Sequence, residues 1–278
     1  MTELFAEVND IKICYEIFGE GYPVILVHGF GATKEGWLAQ VPELSKHFKV
    51  IRFDNRGAGG SDKPESSYKL GDFVEDIKGL LDHLGISKAH IIGWSLGGMI
   101  VQNYALKYPE TVNRLVMINT NFGTPDESGP EVYKNMRIQA AELLKEDPAK
   151  AFWSGTRTGF HIKFRKQMEK EPSKKWYGLW SAEDLIEQST INPLTVHDIE
   201  MQGDVSKEHN TAERLNEITN PTLLLTASHD RITPRSSMEV MHEKLPNSVI
   251  HVIQNAGHNS PLEKTPEVNQ LIIDFLNN

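Results

Sequence analysis

One serine, one aspartate and one histidine stand in the settings that acyl-transfer chemistry needs. Ser95 lies in Gly93-Trp94-Ser95-Leu96-Gly97-Gly98, between the apolar run His90 to Ile92, which reads as a buried strand, and Met99 to Leu106, which reads as a helix. A sharp strand-to-helix turn of this G-x-S-x-G kind exposes its serine. Gly93 and Gly97 suit the crowding of strand against helix. A serine hydroxyl is a poor nucleophile near neutral pH, so it needs a base, and the base needs an acid to orient it. Asp230, in Ser228-His229-Asp230-Arg231-Ile232-Thr233-Pro234, follows the strand pattern Thr222 to Thr226. His258, in Asn255-Ala256-Gly257-His258-Asn259-Ser260-Pro261, follows Ser248 to Ile253. Both sit just past strands, where sites in open parallel sheets form.

The rivals are weaker. The chain has 11 histidines, but His251 falls inside a strand, His83 lies beside buried helix positions, and His28 precedes the serine. After the strand Val112 to Ile118 come Asn119, Thr120 and Asn121, none ionisable, so Asp126 is the one nearby alternative acid. A tetrahedral oxyanion needs two donors. The Leu96 backbone N–H, opening the helix after Ser95, is the first. The Phe30 N–H, in His28-Gly29-Phe30-Gly31, is the second. In Asp54-Asn55-Arg56-Gly57-Ala58-Gly59-Gly60-Ser61 the charges are expected to tie the loop together by hydrogen bonds. Neither a P-loop, a dinucleotide fingerprint nor a metal-ligand spacing is evident; no cofactor and no metal are expected.

These residues need a scaffold. Phe5 to Val8 and Ile11 to Phe18, joined by Asn9-Asp10, read as a hairpin. Val24 to Val27, Val50 to Phe53, Ala89 to Ile92, Val112 to Ile118, Thr222 to Thr226 and Ser248 to Ile253 read as strands. Helical patterns lie between them, at Trp37 to Leu44, Leu70 to Leu84, Met99 to Tyr108, Ser236 to Leu245 and from Thr265 onward. This alternation predicts an α/β fold, with a mostly parallel sheet covered by helices on both faces and an antiparallel edge at the first hairpin.

Residues 122–202 break the rhythm, with helical patterns at Glu131 to Leu144, Phe160 to Lys170 and Ser181 to Ile191 and no convincing strand. Three of the five tryptophans fall there. The expectation is a core of residues 1–121 and 203–278 carrying a helical cap, 122–202. Trp94, Trp153 and Trp176 are then the expected substrate contacts, since ligand clefts favour apolar linings between subdomains. The competing reading is that the cap aromatics build only the cap's own core.

Composition bounds the function. A chain of 278 residues with 39% apolar content can bury a large core. With 29 basic against 38 acidic residues, the net charge of −9 argues against nucleic acid and anionic membranes as partners. Met1-Thr2-Glu3-Leu4 opens no signal-peptide pattern, and no apolar run approaches spanning length. The single cysteine, Cys14, reads as a small core residue. A cytoplasmic protein acting on a small molecule is expected, with no prediction of oligomeric state.

In chain order, H-G-x-G, D-x-R-G-x-G-x-S, G-x-S-x-G-G, D-x-x-x-P and G-H resemble the α/β-hydrolase family from about Val24 to Phe275. The resemblance implies an eight-stranded sheet, a Ser–His–Asp triad and no cofactor. The elbow and the Thr222 to Pro234 stretch look most like small esterases and lactonases, the 3-oxoadipate enol-lactonase-like hydrolases above all. Cofactor-free haloperoxidase-like esterases and C–C bond hydrolases of the same family are close behind. Haloalkane dehalogenases and epoxide hydrolases carry Asp where this chain has Ser95, which argues against both. The implied activity is hydrolysis of a carboxylic ester or lactone through an acyl-enzyme. A small-molecule receptor on the same fold is the alternative of another class, separable by its very slow turnover.

Overall fold

The computed structural model describes residues 3–123 and 128–278. Eight strands form one sheet: β1 (Leu4–Val8), β2 (Ile11–Phe18), β3 (Pro23–Val27), β4 (Lys49–Phe53), β5 (Ala89–Trp94), β6 (Val112–Ile118), β7 (Thr222–Ala227) and β8 (Ser248–Ile253). Their spatial order is β1-β2-β4-β3-β5-β6-β7-β8. β2 pairs antiparallel with β1 and with β4, and every later pairing is parallel. The expected fold class, a mostly parallel sheet with an antiparallel hairpin edge, is the one observed.

The helices of the core are α1 (Val41–Leu44), α2 (Leu70–His83) and α3 (Leu96–Lys107). A helical excursion follows, made of α4 (Ser128–Glu146), α5 (Pro148–Gly159), α6 (Ile162–Lys170), α7 (Ala182–Ser189) and α8 (Val196–Glu208). The core resumes after β7 with α9 (Arg235–Lys244), α10 (Ser260–Glu263) and α11 (Thr265–Asn277). Because successive strand residues point to opposite faces, the central strands feed two cores. Ile25, Ile91 and Leu115 pack with Phe73 of α2, Tyr104 of α3 and Met238 of α9. Val24, Ile92 and Val116 pack on the other face with Trp37, Leu44 of α1 and Ile272 of α11. Ser95 and the loops that carry Asp230 and His258 thus follow the carboxyl ends of strands packed on both sides.

Three expectations are corrected. The helix expected over Trp37 to Leu44 is a 3₁₀ turn, Lys34–Trp37, followed by the short α1, with Pro42 in its first turn. Residue 202, the expected end of the insertion, falls inside α8. The two ends of the excursion meet instead where Gly123 pairs with Asn210 and Thr211 N donates to Phe122 O at 2.8 Å. The excursion also holds two helices absent from the sequence reading, α5 and α8. In α5, Pro148, Gly155 and a run of Ser and Thr mask the pattern, and the helix starts because Asp147 accepts from Lys150 N at 2.9 Å. α8 starts with a capping box between Thr195 and Asp198, a signal that was present in the sequence.

Candidate active site

Ser95 occupies the turn between β5 and α3 with φ 58° and ψ −118°, a backbone conformation that side-chain-bearing residues rarely adopt. The neighbouring glycines make the turn possible. A Cβ on Gly97 would overlap the Val27 carbonyl, and one on Gly93 would overlap the Gly97 carbonyl. Ser95 N donates to Ile118 O at 2.9 Å, and Thr120 Oγ1 donates to Ser95 O at 2.8 Å, so the strained residue is held from β6. Ser95 itself is buried, 8% exposed.

Asp230 and His258 come together. His258 Nδ1 lies 2.8 Å from Asp230 Oδ2. The carboxylate is fixed on its other side by Ile232 N and Thr233 N, which donate to Oδ1 at 2.8 and 2.9 Å, and by Thr233 Oγ1, which donates to Oδ2 at 2.8 Å. Burial disfavours the charged carboxylate, but His258 and the two backbone donors outweigh it and hold the carboxyl below its ordinary range. Asp230 therefore stays ionised through the neutral range.

The loop expected to donate the second oxyanion N–H lies against the serine. A Cβ on Gly29 would come within 3.1 Å of Ser95 Cβ. His28, at the head of this loop, is fully buried, and its Nε2 accepts from Asn55 N at 3.0 Å. It is a structural residue that joins the loop to the end of β4. Leu96 opens α3, so its N–H belongs to the unpaired first turn of that helix. The Phe30 ring packs edge-on to Tyr133 of α4, 5.8 Å between centroids.

Asp54 and Arg56 anchor the neighbouring loop, although their partners lie partly outside it. Asp54 Oδ1 accepts from Lys34 N at 2.7 Å, and Oδ2 accepts from Lys34 Nζ and Gly60 N at 3.0 Å. Arg56 reaches α2 with a two-pronged pair to Asp76, at 2.6 and 2.7 Å.

Several positioning residues escaped the sequence reading. Asn119, after β6, donates from Nδ2 to His258 O at 2.7 Å and to Ser260 Oγ at 2.8 Å, while its Oδ1 accepts from Ala227 N at 2.9 Å. It thus ties the ends of β6, β7 and the His258 loop. From the excursion, Gln202 of α8 accepts from Gly31 N at 3.1 Å, and Arg137 of α4 donates to Gly31 O at 2.5 Å. The alternative acid, Asp126, lies outside the described residues.

A cavity of about 550 Å³ lies between the excursion and the core, reaching the site at His258 and Ile232. Its wall includes Tyr133 and Arg137 of α4, Phe152 of α5 and Ile199 of α8. None of the three tryptophans expected at the substrate is among the residues that line it. Trp94 points from β5 into the opposite core, edge-on to Trp37, and its Nε1 donates to His258 O at 3.2 Å. Trp153 and Trp176 pack around Phe160, Met168, Trp180 and Leu262, an apolar cluster that joins the excursion to α10 and Ala39 of the core. Trp153 stands on α5, and Trp176 stands in a turn where its N donates to Trp180 O at 2.6 Å. The cavity takes Phe152, one residue earlier on α5.

Glu263 of α10 joins the excursion to the histidine loop. It is buried, and its two carboxyl oxygens accept from Gly257 N at 2.7 Å and from His161 N at 3.0 Å. Burial pushes its carboxyl up to about 7 from an ordinary value of 4.5, against the two N–H donors and Lys264. The folded chain therefore binds a proton there more tightly than the unfolded chain. Between about pH 4.5 and pH 7 this group makes stability fall as pH rises, by at most about 1.4 kcal/mol per pH unit. Replacing it by Gln should flatten that slope. Urea unfolding at intervals from pH 4.5 to 8 measures it, and an unchanged slope in Glu263→Gln would show the assignment to be wrong.

A model of the α/β hydrolase fold family matches residues 22–265. The chain belongs to this family, and it is a hydrolase. It is 27% identical over 275 residues to a 2-hydroxy-6-oxo-6-phenylhexa-2,4-dienoate hydrolase of Comamonas testosteroni, covering 97% of this chain and 93% of that one. Among solved structures it is similar to a thermophilic esterase from Thermogutta terrifontis, with TM-score 0.83 and 25% identity over 100% of this chain and 98% of that one. It also shares its fold with the enol-lactonase of Burkholderia xenovorans, with TM-score 0.82 and 23% identity over 99% and 100% of the two chains. Among the described residues no helix is long and apolar enough to cross a membrane, and no group of three or more His, Cys, Asp or Glu could hold a metal ion.

Proposed function

We propose that the protein hydrolyses a carboxylic ester or lactone through an acyl-enzyme on Ser95. The observation that carries this reading is the His258 Nδ1–Asp230 Oδ2 pair at 2.8 Å, on loops beside a strained elbow serine. Asp230 holds the proton on Nδ1, which leaves Nε2 as the base. Nε2 takes the Ser95 hydroxyl proton as Oγ attacks the carbonyl carbon. The backbone N–H groups of Leu96 and Phe30 receive the oxyanion. The tetrahedral adduct collapses, and His258 gives its proton to the departing alkoxide. A water then loses a proton to His258, attacks the acyl carbon and releases the acid and Ser95. The excursion acts as a cap, and its cavity holds the acyl or leaving group.

A second reading has its own support. The Comamonas relative is named as the hydrolase of a 2-hydroxy-6-oxo dienoate, and cleaving such a compound breaks a carbon–carbon bond. Arg137, on the cavity wall with a buried and unpartnered Nε, suits a substrate that carries a carboxylate in either reading. Turnover of p-nitrophenyl esters, lactones and vinylogous diketone acids, each over graded chain lengths, tests the proposal. Ester or lactone turnover far above that of the diketones supports it, and preferred diketone cleavage overturns it in favour of the second reading.

The cap contacts can be tested on the same substrates. Phe152→Ala is expected to raise KM severalfold for bulky substrates while kcat for short ones holds, because contacts made equally in ground and transition states change KM alone. Trp153→Ala should lower stability by roughly 2 kcal/mol through lost packing in the excursion, with an unchanged preference order. Thermal melts and paired KM and kcat values separate the two. A chain-length shift in Trp153→Ala with none in Phe152→Ala would restore the tryptophan to the substrate.

A further inference from the structure

A second cavity, of about 270 Å³, opens where the excursion meets the loop that carries Asp230. Arg157 of α5, Phe160 and His161 between α5 and α6, and Arg165 of α6 form one side, while His229 and Arg231 form the other. Three guanidinium groups and two imidazoles line it, and no carboxylate does. That is unexpected in a chain whose acidic residues outnumber its basic ones, 38 to 29. The nearby acids are spent elsewhere. Asp230 turns its carboxylate to His258, Ile232 and Thr233, and Glu263 binds the backbone of Gly257 and His161.

The cations are short of partners. Among the described residues neither Arg157 nor Arg231 takes part in an ion pair, and Arg165 Nε approaches only Glu169, at 3.6 Å, outside hydrogen-bond reach. That Nε is buried without a hydrogen-bond partner. His161 is 7% exposed, stands edge-on to His229 with 4.5 Å between ring centroids, and uses Nδ1 for a long contact, 3.4 Å, from Lys163 N. Burial depresses its basicity first, and the neighbouring His229, Lys163, Lys264 and Arg231 add to the effect. Like charges gathered with a single carboxylate, Glu169, near one of them destabilise a fold unless something negative joins them.

We propose that this cavity is a binding site for a small dianion, a phosphate or a dicarboxylate, held by Arg157, Arg165 and Arg231 and joining the cap to the loop that carries Asp230. Planar guanidinium forks suit paired oxygens of such groups, and a fork from each side of the seam makes the anion a link between the two. Phe160 borders both cavities and separates this site from the one that reaches His258.

The test is calorimetric titration and thermal melting of the full chain with inorganic phosphate and with succinate, against sodium chloride at matched ionic strength. One saturable site is expected, with a melting temperature raised by about 5 °C near saturation and no comparable rise in chloride. Binding of phosphate alone assigns the site to phosphate-type ligands, and binding of succinate alone to dicarboxylates. Arg157→Gln and Arg231→Gln, both at exposed positions, should each weaken binding at least tenfold. In chloride these variants should melt no lower than the parent, because a repulsion has been removed. An equal rise in chloride, or unchanged affinity in both variants, would overturn the proposal.

Discussion

Ser95→Ala is expected to lower ester turnover on the order of 10⁶-fold, the scale seen when a protease loses its nucleophilic serine. Only the hydroxyl is removed. Alanine keeps the Cβ and thus the same backbone demand at φ 58°, and the bonds that hold the turn, Ser95 N to Ile118 O and Thr120 Oγ1 to Ser95 O, use backbone atoms of residue 95. The variant should therefore melt close to the parent. What remains should be the small acceleration that binding and oxyanion donors supply without a nucleophile. Single-turnover and steady-state rates on a p-nitrophenyl ester, with the melting curve alongside, measure both. A folded variant that retains near-normal hydrolysis would remove the serine from the mechanism.

Asp230→Asn is expected to cost about 10⁴-fold in turnover, again with the fold retained. The local bonds say why. Ile232 N and Thr233 N donate to Oδ1, so they will pin the amide oxygen of an asparagine at that place. The amide nitrogen must then take the position of Oδ2, 2.8 Å from His258 Nδ1. An N–H there requires Nδ1 to accept, which moves the imidazole proton to Nε2 and leaves no base facing the serine. A loss of less than tenfold would mean that another carboxylate orients His258. The comparison to run beside it is Asp126→Asn, which should be far milder.

The parts of this site that could be read in the sequence are those fixed by local geometry. Ser95 was legible because a turn this tight needs glycine where strand and helix backbones meet, and Gly93 and Gly97 supply it two positions to either side. Asp230 and His258 were legible because each follows a β-rich run by a few residues, Thr222 to Ala227 and Ser248 to Ile253. The contacts that cross from the excursion were not. Arg137 and Gln202 reach Gly31 from positions 106 and 171 residues away, and nothing in their own neighbourhoods marks them. Asn119 is not ionisable, yet its amide joins three chain segments, a use of polarity that needs no charge. Phe152 and Trp153 differ by one position on α5. Which of them meets the cavity depends on the rotation of a helix whose pattern Pro148 and Gly155 obscure.

The central claim is that Ser95 is an activated nucleophile, and a fluorophosphate ester tests it most directly. With diisopropyl fluorophosphate, attack by Ser95 Oγ forms an O–P bond, breaks the P–F bond and passes the hydroxyl proton to His258 as fluoride departs. Intact-mass spectrometry should show one adduct per chain on the parent, mapped by peptide analysis to the segment holding Ser95, and none on Ser95→Ala. No adduct on the parent, or equal labelling of the two proteins, would contradict the account.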